Sequence, residues 1–533
     1  MTGPRPFPCD EGMILGRPVA EGCPERSKPW VLAATILGSS MAFIDGSVVN
    51  IALPAIQREL DASLADLQWI VNGYTLLLGA LILTGGALGD RFGRRLIFII
   101  GIAAFTLASV ACGLAPDSLT LIFARMLQGI GGALLVPSSL ALISATFSEE
   151  ERGRAIGTWA GFAALTTALG PVLGGWLVDS VTWRTVFFVN VPVAAVALVI
   201  ALRHVPESRD RRAHAQGLDW SGAALATAGL GMLTYGLIAL SGAEIGAGTG
   251  PPALAGAAVL LAFFVWLEAR RQEPMVPLGL FRSRTFSAAN LLTVLLYFAL
   301  GGVLFFLPLN LVHVQGYSAT EAGAALLPFT LVMGTLSRWS GGLVQRWGLR
   351  LPLVVGPATS GLGYALLAVP GIGGSYWTTF FPAMIVLGFG MAVAVAPLTT
   401  AVMAAVDEDS AGVASGINNA AARVAGLLAV ACLGALAVWI YSLSLEHRLD
   451  SVAATDAAKQ EVMASRWEFS AAAVPEGLTP AGTIALGGAI DEAFLLSFRM
   501  VTLIAALMAA IGALTAFIMI DEPPGGPLPA RES

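Results

Sequence analysis

The chain has 533 residues, of which 56% are hydrophobic and only 12% charged. That balance excludes a string of soluble domains, a disordered chain or a coiled coil, and points to a protein whose main solvent is the bilayer. The net charge of -6 arises from 29 basic and 35 acidic residues, and the basic ones form no single face or tail that would track phosphates, so nucleic acid is not an expected partner.

Residues 1–29 are rich in Pro, Gly and charge, lack an apolar stretch, and read as a cytoplasmic tail. About 20 apolar residues cross the hydrocarbon layer as a helix. Fourteen such runs follow in order: 30–53, 69–89, 96–115, 119–144, 155–178, 185–202, 219–240, 253–268, 287–312, 320–344, 351–370, 377–405, 412–440 and 493–520. An even count puts both ends on one side. With the N-terminus cytoplasmic, 20 Lys/Arg lie inside and 5 outside (Arg58, Arg184, Arg448, Lys459 and Arg466), while Arg125, Arg338, Arg423 and Arg499 fall within spans, so N-in and C-in is expected. The cysteines, Cys9, Cys23, Cys112 and Cys432, have neither C-x-x-C nor Cys/His spacing, and no disulfide framework or metal site is expected.

A repeat runs through the spans. GALGDRFGRR at Gly86 to Arg95 returns as GGLVQRWGLR at Gly341 to Arg350, and EERGRAIG at Glu150 to Gly157 aligns with DSAGVASG at Asp409 to Gly416, at nearly the same offset. The pattern predicts two six-helix bundles, 30–203 and 287–520, separated by a central linker 204–286 with two extra spans, and a C-terminal cytoplasmic tail 521–533. The segment 441–492, which combines helix-forming Ala, Lys and Glu with a Pro/Gly-rich stretch, is expected as an extracytoplasmic loop inside the second bundle.

Several motifs sit on these spans: IDGSVVNIALP (Ile44 to Pro54), the Gly86–Arg95 loop, RMLQGIGGA (Arg125 to Ala133), GPVLGG (Gly170 to Gly175) and WRTVFFVNVP (Trp183 to Pro192). In these residues the sequence resembles the major facilitator superfamily, and within it the fourteen-helix drug:proton antiporter branch. The resemblance covers nearly the whole chain outside the tail and the 441–492 loop. It implies an all-α membrane protein with the major facilitator fold. It also implies a conformational latch at Gly86, Asp90, Arg91, Gly93, Arg94 and Arg95, and an antiporter motif at Gly170, Pro171, Gly174 and Gly175 acting as hinge or seal.

The residues themselves support specific chemistry. Asp45 is the one carboxylate deep within a span, where a charge is expensive unless paired, hydrated or protonated. Arg125 on the fourth span reaches a similar depth, roughly 10 Å from the outer surface, so the two can pair. Burial and a guanidinium act in opposite senses on the proton of such an acid, which gives either proton coupling or a static pair between the first and fourth spans. In the second bundle the position of Asp90 is taken by Gln345, so the two loops are expected to contribute unequally. Gly and Pro in the fifth span remove bulk and a backbone donor, allowing a bend and close helix approach, or ordinary small-residue packing.

Arg423 lies about 18 Å into the thirteenth span with no acid in that span. It either reaches Asp45, meets an anionic group on a substrate, or bonds backbone carbonyls. Between Glu321 and Asp407 there is no acidic residue to attract a cationic substrate. Trp69, Tyr74, Phe162, Tyr297, Phe305 and Phe306 are aromatic candidates for packing or for a lipophilic cavity. The substrate-cavity set is Gln128, Arg423, Phe162, Tyr297 and Phe305.

The two lysines, Lys28 and Lys459, follow Ser and Ala, so no Gly-Lys-Ser/Thr phosphate loop exists and ATP is not an expected partner. No nucleophile, base or metal-ligand constellation suggests an enzyme. The expectation is a proton-coupled exporter of small lipophilic molecules or drugs in the cell membrane, needing no cofactor beyond the proton and contacting membrane lipid. The alternatives are export of an endogenous amphiphile (lipid, secondary metabolite or peptide) and a transporter-like sensor.

Overall fold

The computed structural model describes residues 27–209, 219–240, 248–271, 274–406, 411–452, 454–472, 474–475 and 478–520. Residues 1–26 of the expected N-terminal tail, the expected C-terminal tail, Asp409 and Ser410 of the second repeat motif, and part of the central linker lie outside these residues. So do the side chains of Arg338 and Gln345.

Lipid offers no partner to backbone amides, so an apolar chain must satisfy them internally, and every regular element among the described residues is helical. The first bundle contains α1 (Lys28–Leu60), α2 (Leu64–Phe92), α3 (Arg94–Gly113), α4 (Ser118–Thr146), α5 (Glu149–Ser180), the short α6 (Thr185–Phe188) and α7 (Asn190–His204). The linker contributes α8 (Trp220–Leu240) and α9 (Gly250–Arg270). The second bundle contains α10 (Arg284–Leu309), α11 (Ala319–Ala325), α12 (Leu327–Gly341), α13 (Leu343–Trp347), α14 (Arg350–Leu367), α15 (Tyr376–Thr379), α16 (Phe381–Ala404), α17 (Ala411–Ser451), α18 (Asp456–Ala464) and α19 (Pro480–Met519).

Local chemistry sets the helix ends. Ser63 and Asp66 form a capping box that starts α2, Asp117 accepts from the Thr120 amide to start α4, and Ser318 with Glu321 forms a second capping box at α11. Gly93, at φ +123°, separates α2 from α3 in a conformation that disfavours other residues.

Among the described residues, thirteen helices are long and apolar enough to cross a membrane. The expected run 351–370 is present as α14 but is not one of the thirteen; Arg350, two prolines, Thr359, Ser360 and Tyr364 dilute its apolar character. The 441–492 segment also differs from a loop. Its start extends α17 to Ser451, its end begins α19 at Pro480, and α18 and a 3₁₀ turn at Ser465–Ala471 lie between. Phe469 of that turn is buried against Phe306, Tyr441 and Phe494, and the Gln57 side-chain amide donates to the Glu468 carbonyl at 2.6 Å.

Within the first bundle α2 and α3 pack on α4, and α1 on α5; within the second, α10 packs on α17 and α19, and α14 on α16. The bundles meet along two seams, α2 with α17 and α5 with α11 and α12. The linker helix α8 lies against both α2 and α17.

Candidate functional site

The Asp45 side chain is buried, and it joins a network built from five helices. Arg125 Nη1 on α4 donates to Asp45 Oδ2 at 2.5 Å, and Gln128 Nε2, one turn further along α4, donates to Asp45 Oδ1 at 2.8 Å. The same Arg125 nitrogen donates to Gln128 Oε1 at 2.5 Å, and Arg125 Nε donates to the Ile70 carbonyl of α2 at 3.1 Å. Gln128 Nε2 also reaches Ser109 Oγ of α3 at 2.7 Å, and Asn190 Nδ2 of α7 donates to that hydroxyl at 3.1 Å. The guanidinium is roofed by the Tyr74 ring, 4.3 Å from its centroid, with Phe187 at 5.8 Å. A buried ion pair survives only when its remaining donors and acceptors are satisfied, and these amides and hydroxyls do that.

This geometry corrects part of the expected cavity. Gln128 is buried and bonded to Asp45, so it has no surface with which to line a cavity. Phe305 is buried in an aromatic pair with Phe306, and Tyr74 is buried over Arg125. Phe162 is exposed, Tyr297 is half-buried, and Arg423 keeps partial exposure. Arg423 has no ion pair with Asp45, whose carboxylate is taken by Arg125.

The Gly170–Gly175 stretch packs two ways at once. A Cβ on Gly170 would strike the Ser47 hydroxyl and one on Gly174 would strike the Val48 side chain, so α5 grips α1 two and three residues beyond Asp45. On the other seam a Cβ on Gly175 would collide with the Ala319 carbonyl, and one on Gly323 with the Pro171 carbonyl. α5 runs helical through Pro171, so this stretch serves close approach of backbones. Just beyond it, Asp179 accepts from the Ala319 and Thr320 amides at 3.2 and 2.7 Å and from the Thr320 hydroxyl at 2.5 Å, capping α11 of the opposite bundle. Asp179 had no sequence signal of its own; a carboxylate one turn past GPVLGG becomes meaningful only when α11 is placed beside it.

The Gly86–Arg95 motif, helical except at Gly93, bonds within the first bundle and to the start of the linker. Asp90 pairs with Arg94 at 2.8 Å, the Arg94 amide donates to the Ser208 carbonyl at 2.9 Å, and Arg95 Nη2 donates to the Leu202 carbonyl at 2.8 Å. The Glu207 carboxylate accepts from the Arg95 and Leu96 amides at 3.0 and 3.1 Å, at the exposed start of α3. A Cβ on Gly93 would lie 2.7 Å from that carboxylate. Glu207 is a second residue the sequence pattern did not single out.

The Major Facilitator Superfamily model matches residues 35–430. The tetracenomycin C resistance and export protein of Streptomyces glaucescens is 40% identical over 417 residues, 77% of this chain and 76% of that protein. The multidrug resistance protein Stp of Mycobacterium tuberculosis (strain CDC 1551 / Oshkosh) is 38% identical over 443 residues, 82% of this chain and 81% of that protein. Among solved structures, a bacterial homologue of the human lysosomal transporter Spinster, in an inward-facing and occupied conformation, aligns with a TM-score of 0.64 at 17% identity, covering 93% of this chain and 97% of that one. With its helical bundles, its buried Asp45–Arg125 pair and these relatives, the chain is a multi-pass membrane protein that belongs to the major facilitator superfamily.

Proposed function

We propose that the protein is a proton-coupled antiporter of the fourteen-helix branch, exporting small lipophilic molecules, drugs among them, across the cell membrane by alternating access. Both termini are then cytoplasmic, α14 supplies the eleventh crossing, and the Gly86–Arg95 loop faces the cytoplasm. The relatives that export or resist drugs support the substrate class.

The observation that carries the coupling is the buried Asp45–Arg125 pair on the helix that the α5 motif grips. In this state Asp45 has no access to water, so exchanging its proton requires the contact with Arg125 and Gln128 to open. Movement of α5 away from α11 would break the outer seal and, through Gly170 and Gly174, shift α1 beside Asp45. Proton entry from outside and opening of the outer face are thereby the same event. The two states differ in the charge they bury, which is the differential interaction an inward proton gradient needs in order to drive export.

Asp45→Asn in everted membrane vesicles tests this. Substrate-induced collapse of the proton gradient should disappear while the protein still inserts; full gradient-driven efflux by Asp45→Asn would refute the coupling. A protein that binds a drug and moves none would instead be a sensor. Export of an endogenous amphiphile is the second reading, favoured by the lack of acidic residues between Glu321 and Asp407.

A further inference from the structure

The α2–α17 seam holds a cation without a counter-ion. Arg423 lies twelve residues beyond the start of α17, about 18 Å along it, near mid-depth of the bundle. Its Cβ is 3.2 Å from the position a Cβ of Gly79 would take, so the side chain leaves α17 directly against α2. Its Nε is buried with no hydrogen-bond partner, and among the described residues no carboxylate pairs with the guanidinium. The side chain nevertheless keeps accessible surface at this depth. The phenols of Tyr74 and Tyr297 are within its electrostatic reach.

A second orphan lies on the same seam. Asn72 is buried, sits two turns from Gly79 on the face of α2 that also carries Gln68, and bonds through neither its Oδ1 nor its Nδ2. Gln68 one turn away donates to the Val430 carbonyl of α17, which fixes that face toward the seam. Buried polar groups are ordinarily satisfied, and a buried cation is ordinarily paired. Here the one carboxylate at that depth is already taken by Arg125.

We propose that this seam recognises an acidic group on the exported molecule, with Arg423 binding its carboxylate or phenolate and Asn72 and Tyr297 bordering the site. The inference rests on the exporter reading and narrows it to amphiphiles that carry one acidic group on an apolar body. Asp45, Arg125 and Arg423 together carry one net positive charge, and a monoanion brings that set to neutrality. Export of a monoanion also moves negative charge in the direction that an inside-negative potential favours, so the potential assists even when the pH gradient is collapsed.

The full-length protein in phosphatidylcholine nanodiscs is titrated with pyrenebutyrate, pyrenebutanol and pyrenebutylamine, which share a body and differ in charge. The acid should bind about tenfold or more tightly than the alcohol, a charge-assisted hydrogen bond's worth, and the amine most weakly. Arg423→Gln should bring the acid-to-alcohol ratio toward one, and Arg423→Lys should keep most of it. A wild-type protein without preference for the acid, or a preference that survives Arg423→Gln, overturns the assignment. Anionic phosphatidylglycerol added to the discs should leave pyrenebutyrate binding unchanged; displacement that depends on Arg423 overturns the exported-acid assignment and gives the site to a lipid headgroup. The exporter reading fails separately, if proteoliposomes show no gradient-driven efflux of any of the three probes that Asp45→Asn removes.

Discussion

Gly175 and Gly157 lie 18 residues apart on α5, five turns, and therefore on the same face. Gly175 is pressed against the Ala319 backbone of the opposite bundle, whereas a Cβ on Gly157 would meet nothing within 4 Å, and Gly161 is equally open. Across the seam Gly323 touches Pro171, and Gly334, three turns further on, again meets nothing. The bonds follow the same division. At one end Asp179 caps α11 of the second bundle; at the other Glu151 pairs at 2.7 Å with Lys28 of its own bundle. The helices thus diverge from a closed face at Asp179 toward the face of the Gly86–Arg95 loop. The difference teaches that small residues on one helix face do two jobs, contact at the closed end and clearance at the open one.

The comparison breaks or sharpens under substitution. Gly175→Val forces a side chain into backbone that cannot yield, and should cost about 1–3 kcal/mol or more and abolish transport, whereas Gly157→Val should change stability by less than about 0.5 kcal/mol; thermal melts in detergent with vesicle efflux decide. Equal effects of the two would erase the distinction between the faces. Gly93→Ala on the open face meets both a left-handed φ and the Glu207 carboxylate, and should lose about 1–3 kcal/mol, with Glu207→Gln relieving less of the loss than Glu207→Ala in the double variant. Asp179→Ala removes the cross-bundle acceptor from the start of α11, leaving its Ser318 capping box in place, and should cost about 1 kcal/mol. A cysteine probe near Thr320 should then label faster from the closed side, and unchanged labelling would mean that this contact does not hold that face shut.

The smallest expected effect is on pH, with opposite signs at the two faces. The Lys28 ammonium bonded to Glu151 holds that carboxyl below the usual range, so its contribution is present above the ordinary carboxylate pKa and is lost as pH falls through the lowered value. Burial, and the nearby Asp61, push the Glu468 carboxyl up, so its contribution is present at low pH and is lost as pH rises through the raised value. Hydrogen-exchange protection, taken relative to the intrinsic rate at each pH, should therefore fall at the start of α5 on acidification and in residues 465–471 toward neutral pH. Parallel behaviour at both sites would contradict the assignment of one or the other carboxyl.

Much of the site was legible in the amino-acid sequence. Asp45 and Arg125 announced themselves because a charge in an apolar run needs a partner, and helix rise alone put them at one depth. Gln128 was legible only as a polar residue facing inward, and its direction, toward the ion pair and away from a cavity, depends on which helices surround α4. Phe305 was misplaced for the same reason: an aromatic in a span packs or lines a cavity according to its neighbours. Asp179 and Glu207 were not legible, because each acts on a backbone far away in sequence, on Ala319 and Thr320 in one case and on Arg95 and Leu96 in the other.

The amino-acid order by itself determined that the chain crosses the bilayer repeatedly, that it repeats in halves, and that one acid and one guanidinium sit at matching depth. These follow from hydropathy and helix rise, which are local. The close contact of α5 with α11, the open space around Gly157 and Gly334 at the far ends of α5 and α12, and the isolation of Arg423 opposite Gly79 were decided only by the tertiary arrangement. Contact between helices hundreds of residues apart depends on how whole surfaces fit, and no local pattern encodes which of two equivalent glycines will be covered.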